Sequence, residues 1–338
     1  MVYELPKLHY DPENNKVNPY DKLSESMRKV VDYQMEKSKD AFDTSGCTWE
    51  ELRAKYVEER RFWNEGGPEA YKTVNMVVPD GPMGDIPVRI YYPDDKPMHH
   101  ACVFIHGGGF TVGSVDTHDR MMRCVMEASG CAVIGVDYHL APEAKFPIPL
   151  FECAAVTRFF HEQGEQYGIL PDHMSLGGDS GGGNLSLATN LLLRDTEGGN
   201  DFICALLLYY GGYGMSEGAS YRLNGTELDG MRRADLKYYQ QSYLDPERPE
   251  DAESPYYRTM NNDLTHGVPA TYLCVGDLDP LLDESRALHQ IQLDHGVRSE
   301  LEVMPGLLHA YMHYGRMMPE AVHCLERSGQ FLKEEVNK

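Results

Sequence analysis

The sequence predicts an α/β protein with a mostly parallel, eight-stranded sheet flanked by helices. From about Thr73 onward, short apolar runs alternate with helical patterns, and such alternation builds a parallel sheet whose ligands sit at the carboxyl ends of the strands. Several runs are continuously apolar, as in Cys131-Ala132-Val133-Ile134-Gly135-Val136, which suits strands covered on both faces. One run ends in a glycine-rich turn around a single serine and passes directly into a helical pattern, Ser175-Leu176-Gly177-Gly178-Asp179-Ser180-Gly181-Gly182-Gly183-Asn184-Leu185.

In chain order, the first seventy residues are highly charged, with helical patterns at 21–38 and 48–63 and no strand signal. They are expected to form a helical cap, residues 1–70, over a domain spanning 71–338. Strands are expected at 74–78, 86–92, 101–105, 131–137, 174–177, 203–209, 270–275 and 300–304, each apolar and bounded by turn residues. Helices are expected at 117–129, 149–167, 184–194, 282–295 and 319–335. Between 203–209 and 270–275 an excursion at 211–254 carries Tyr213, Tyr221, Tyr238, Tyr239 and Tyr243, and its length marks it as a second lid or insertion. Tyr33, Phe42, Phe62 and Trp63 supply aromatic surface from the first segment; packing of cap against core is the simplest use for any one of them.

Bulk composition narrows the partners. The 338 residues are 41% apolar and 25% charged, enough to bury a large core and unlike a disordered chain. Thirty-one basic against 53 acidic residues give a formal charge of −22, which repels a phosphate backbone and an anionic bilayer. Neither nucleic acid nor membrane is an expected partner. The start, Met1-Val2-Tyr3-Glu4-Leu5-Pro6-Lys7, has no basic then apolar leader pattern, and the eight cysteines are scattered without a C-x-x-C pair. Reduced, buried thiols in a cytoplasmic protein are expected.

The chemistry lies in the glycine-flanked serine. In Gly178-x-Ser180-x-Gly182 a tight strand-to-helix turn leaves no room for a Cβ on either flank and pushes the serine outward. A serine hydroxyl attacks only when a base takes its proton, and the base needs a carboxylate to fix its tautomer. Both partners should follow later strands: Asp279 lies after 270–275 and His309 after 300–304. Spacing alone leaves Asp277 and Asp283 as rivals for the acid and His313 for the base. His309 and His313 stand four apart, yet there is no H-E-x-x-H and no third ligand nearby, so neither metal nor cofactor is expected. Upstream, His106-Gly107-Gly108-Gly109-Phe110 offers bare backbone N–H groups to a developing oxyanion, joined by the N–H of Gly181. It lacks the following Lys-Ser/Thr and the G-x-G-x-x-G spacing of a phosphate loop.

Together these motifs resemble the hormone-sensitive-lipase-like esterases, the group that includes acetyl esterases and relatives of arylacetamide deacetylase. The resemblance runs through His106-Gly107-Gly108-Gly109-Phe110, Asp137-Tyr138-His139-Leu140-Ala141-Pro142-Glu143 with Phe146-Pro147, Gly178 to Leu185, Asp279-Pro280-Leu281 and His309. It implies an α/β-hydrolase fold with a helical cap. It also implies Ser180 as nucleophile, Asp279 as acid and His309 as base, with Gly108, Gly109 and Gly181 as oxyanion donors and Gly107 as the alternative to one of the first two. Two positions depart from the family pattern. Gly181 stands where alanine is usual, and His139 stands where arginine follows the tyrosine; it is read as structural. The implied activity is hydrolysis of short-chain acyl esters, acetyl to butyryl, through an acyl-enzyme. Amide or carbamate cleavage on the same triad is the alternative. A non-catalytic binder, as in plant gibberellin receptors, is disfavoured because His309 is in place. The expected partner is a small-molecule ester, and a homodimer is left open.

Overall fold

The computed structural model describes residues 11–38, 46–196, 198–215 and 218–338. Phe42 and the first seven residues, which entered the sequence reading, lie outside that set. Along the chain come α1 (Glu25–Ser38), α2 (Trp49–Asn64), β1 (Lys72–Gly81), β2 (Gly84–Tyr92), β3 (Ala101–Ile105), α3 (Asp119–Ser129), β4 (Ala132–Val136), α4 (Ile148–Gln163) and β5 (Met174–Asp179). Then follow α5 (Gly181–Arg194), β6 (Ile203–Tyr209), α6 (Ala219–Leu223), α7 (Arg233–Tyr243), β7 (Ala270–Gly276), α8 (Leu282–Asp294), β8 (Ser299–Met304) and α9 (Pro319–Glu335).

All eight expected strands form one sheet, in the order β1-β2-β4-β3-β5-β6-β7-β8. β1 and β2 form an antiparallel hairpin, β2 meets β4 antiparallel, and every later pairing is parallel. The continuous apolar runs have their reason here, since every residue of β3, β4 and β5 is buried. Alternate side chains feed two separate cores. Cys102, Phe104, Val133 and Leu207 pack with α1, α3 and α9 on one face. Val103, Ile105, Ile134, Leu176 and Leu206 pack with α4 and α5 on the other. β1, at the sheet edge, is mostly exposed and runs past the apolar stretch because pairing with β2 continues to Gly81 opposite Gly84.

Helix ends depart from expectation for local reasons. The first core helix begins at Asp119 rather than 117, because the Thr117 hydroxyl bonds the backbone of Ser114 and holds a turn. α4 stops at Gln163 and a 3₁₀ turn, Gly164–Tyr167, follows it; Gly164 lies so close to Ile169 that a Cβ would approach to 3.1 Å. α5 starts at Gly181, earlier than 184, since the serine turn runs straight into it. In the first segment, α2 opens on a capping box between Thr48 and Glu51, which satisfies donors in its first turn. Met27, Val30 and Val31 of α1 and Trp63 of α2 bury themselves in the first core. No helix among the described residues is long and apolar enough to cross a membrane.

Candidate active site

Ser180 sits at φ 52° and ψ −118° between the end of β5 and the start of α5, an unusual region for a residue with a Cβ. The flanking glycines explain how the turn is reached. A Cβ on Gly182 would lie 2.0 Å from the Ile105 carbonyl oxygen, and one on Gly178 only 2.3 Å from the same atom. The backbone N–H of Ser180 donates to the Tyr209 carbonyl at 2.9 Å, fixing the elbow to β6.

The loops after β7 and β8 bring the other two groups to this serine. Ser180 Oγ lies 2.9 Å from His309 Nε2, and His309 Nδ1 lies 2.7 Å from Asp279 Oδ2. The second Asp279 oxygen accepts the Leu281 N–H at 2.8 Å, so the fully buried carboxylate cannot rotate away. Burial alone would lower the His309 imidazole, but the charge and hydrogen bond of Asp279 outweigh it and raise the pKa. The rivals are committed elsewhere. Asp277 accepts the Gly306 N–H at 2.7 Å, and Asp283 accepts the Ser220 N–H at 2.8 Å. His313 points to Asp179 at 3.6 Å, and desolvation, helped by nearby Arg60, pushes it down to about 3.

The glycine loop after β3 divides its donors. The Gly107 N–H is taken by Asp179 Oδ1 at 2.9 Å. No acceptor among the described residues takes the N–H of Gly108 or Gly109. Gly181 occupies the first position of α5, where backbone donors have no intrahelical partner. Gly108 has φ 119°, and a Cβ there would strike the Val112 carbonyl oxygen at 2.1 Å. Tyr138 braces the loop, stacking on His106 with ring centres 4.3 Å apart and donating to the His106 carbonyl at 2.9 Å. His139 bonds the buried Glu152 through its ring, 2.6 Å, and through its backbone N–H, 2.8 Å.

Sequence reasoning missed the charged cluster beneath the elbow. Asp179 Oδ1 lies 3.1 Å from His118 Nε2, and with His313 these form a group of three potential metal ligands, all buried, among the described residues. Burial would raise Asp179, but the two histidines and their hydrogen bonds hold it well below the usual carboxylate range. Asp179 is thereby committed to these rings and to Gly107. It carried no signal beyond its place inside the serine motif, and His118 carried none at all.

A cleft of about 660 Å³ opens on Ser180, His309, Gly108, Gly109 and Gly181, within the range of small-molecule sites. Its outer wall comes from segments outside the sheet: Tyr56 and Arg60 of α2, and Asp229, Leu236, Tyr239 and Gln240 around α7. Arg53 of α2 ties that wall to the loops below through the carbonyls of Thr111, 3.0 Å, and Ala141, 2.8 Å, and through Glu143 at 2.6 Å. Trp49 of α2 stacks on Tyr238 of α7 with ring centres 5.8 Å apart.

Known proteins resemble this chain along nearly its whole length. It is 40% identical over 321 residues to an acetyl esterase of Salmonella paratyphi B, with 95% of this chain and 97% of that one covered, and equally similar to an acetyl esterase of Salmonella agona. A hyperthermophilic esterase from the archaeon Pyrobaculum calidifontis superposes with a TM-score of 0.84 at 26% identity, covering 93% of this chain and 98% of that one. A thermostable carboxylesterase cloned from a metagenomic library gives 0.81 at 26% identity, over 87% and 99% of the two chains. Residues 102–313, from β3 through the loop bearing His309, match the family described as alpha/beta hydrolase fold. With that match and its acetyl esterase relatives, the chain belongs to the alpha/beta hydrolase family.

Proposed function

We propose that this chain is a serine carboxylesterase acting on short-chain acyl esters, acetyl esters above all, through an acyl-enzyme. The observation that carries the reading is the relay Ser180 Oγ to His309 Nε2 at 2.9 Å and His309 Nδ1 to Asp279 at 2.7 Å. His309 takes the hydroxyl proton as Ser180 attacks the ester carbonyl, and Asp279 stabilises the imidazolium. The N–H groups of Gly108, Gly109 and Gly181 receive the oxyanion. His309 then protonates the departing alcohol, and a water activated by the same imidazole releases the acid. The acetyl esterase relatives support the acyl preference. The described parts of residues 1–70 and 211–254, which give Tyr56, Arg60, Asp229 and Tyr239 to the cleft wall, act as caps over it. The scattered cysteines, without a C-x-x-C pair, fit the reducing cytoplasm as its place of work.

The test is hydrolysis of p-nitrophenyl acetate, butyrate, octanoate and laurate by the protein and its Ser180→Ala variant. Turnover of the short esters by the parent and its loss in the variant are expected. A folded parent that cleaves none of them, or a variant that retains full turnover, contradicts the reading.

A further inference from the structure

The glycine loop after β3 contains a residue in a conformation its side chain resists. Phe110, next to Gly109, has φ 65°, a costly region for a bulky residue with a Cβ. It closes a tight turn in which the N–H groups of Thr111 and Val112 both donate to the Gly108 carbonyl at 3.1 Å. That carbonyl shares a trans peptide plane with the Gly109 N–H, so the turn fixes the direction in which this donor points. Beyond the turn the Phe110 carbonyl is pinned by the Ala141 N–H at 2.8 Å. Relaxing Phe110 to negative φ would therefore open the turn and swing the Gly109 peptide.

What holds Phe110 is an aromatic contact from the helix above it. Its buried ring lies flat on that of Tyr243, with centres 3.9 Å apart and planes within 6°. One edge of the Phe110 ring lies against Gly181, where a Cβ would approach it to 3.3 Å. Tyr239, one turn earlier in α7, sets its own ring against Gly109, where a Cβ would meet it at 2.5 Å. The C-terminal end of α7 is fastened in turn. The Tyr243 carbonyl accepts the Phe146 N–H at 2.9 Å, and Lys145 Nζ donates to the carbonyls of Ser242, 3.0 Å, and Leu244, 3.1 Å. Tyr243 stands behind Phe110 and is not among the residues that line the cleft. Its hydroxyl is buried without a hydrogen-bond partner, so the ring is the part in use.

We propose that Tyr243 is a positioning residue for the oxyanion hole: its stack on Phe110 holds the strained turn that aims the Gly109 N–H. This rests on the esterase reading and adds a residue to it. An oxyanion donor works only when it is already directed at the charge that develops, and here that direction is set from α7, outside the sheet.

The experiment compares the parent with Tyr243→Phe, which keeps the stack, and Tyr243→Leu, which fills the space without a ring. Each is assayed for hydrolysis of p-nitrophenyl acetate and for inhibition by 1,1,1-trifluoroacetone. Ser180 Oγ adds to that ketone, the serine proton passes to His309, and the carbonyl electron pair moves onto the oxygen held in the hole. Tyr243→Phe is expected within about twofold of the parent, since it loses only an unpaired hydroxyl. Tyr243→Leu should lose roughly tenfold to hundredfold in kcat, with KM within about threefold, and its Ki for the ketone should rise as kcat/KM falls. Packing alone would lower the folded fraction, read by circular dichroism, but leave Ki and turnover per folded site unchanged. Phe110→Leu should show the same loss, and the double variant little more than either single one, because both act through one stack. Parent-like Ki and turnover per folded site in Tyr243→Leu overturn the proposal, as does an equal loss in Tyr243→Phe. Should Tyr243→Leu fail to fold, Phe110→Leu decides by the same two readings. A parent that neither cleaves the ester nor binds the ketone overturns the esterase reading instead.

Discussion

On the proposed mechanism, His309 decides the pH range in which the site works. Its imidazole must be neutral to accept the Ser180 proton, and the neighbouring Asp279 raises its pKa despite burial. Activity therefore falls as pH drops through a value above about 6.5, the ordinary histidine value. Asp279→Asn removes the charge that raises the pKa, so the acid limb of kcat/KM should move to lower pH while kcat falls by roughly 10³–10⁴-fold; a limb that stays in place contradicts this assignment. At this scale the sequence was highly informative. Ser180, Asp279, His309 and the glycine loop each stand in a motif or at a strand end. Spacing alone did not separate Asp279 from Asp277 and Asp283, because the choice depends on which carboxylate the turn after β7 aims at His309. Arg60, Asp229 and His118 were invisible, since each reaches the site from a distant segment with no local pattern to announce it.

The serine elbow is an element whose sequence is dictated by contact. A Cβ at Gly182 would overlap the Ile105 carbonyl, so Gly182→Ala should force α5 away from the end of β3 and destabilise by about 3 kcal/mol or more, read from chemical denaturation. α8 supplies a second case through Glu284. Burial pushes this carboxyl up to about 7, against the hydrogen bonds it accepts from the N–H groups of Tyr213 and Met215. The folded chain then holds a proton that the unfolded chain releases near its ordinary value, 4.5. Stability from this group is complete below that value and is lost as pH rises to about 7. Glu284→Gln should therefore gain on the parent between pH 5 and pH 8, by on the order of 1–3 kcal/mol, in unfolding midpoints measured at the two values. An unchanged difference contradicts it. The central strands were legible because a strand covered on both faces shows as an unbroken apolar run, whereas the exposed edge strand β1 outran its apolar stretch. Helix ends were less so: Thr117 and Gly164 end their helices by contacts with Ser114 and Ile169 that periodicity does not record.

For the whole molecule, the sheet and its two cores follow from the alternation of apolar runs and helices, whereas the arrangement of segments above the cleft does not. Their surfaces are charged and their contacts long-range, as where Arg53 reaches Ala141 and Glu143. Arg53→Ala releases these bonds, and α2 should become more sensitive to limited proteolysis while KM rises; proteolysis at the parent's rate would show that the segment is held by apolar packing alone. The central claim is that Ser180, activated by His309, is the nucleophile. It is tested most directly by reacting the protein with diethyl p-nitrophenyl phosphate and locating the adduct by peptide mass spectrometry. One phosphoryl group per chain on Ser180, formed with loss of esterase activity and greatly slowed in His309→Ala, is the predicted result. An adduct on another residue, or ester hydrolysis that persists with Ser180 fully modified, would contradict the account.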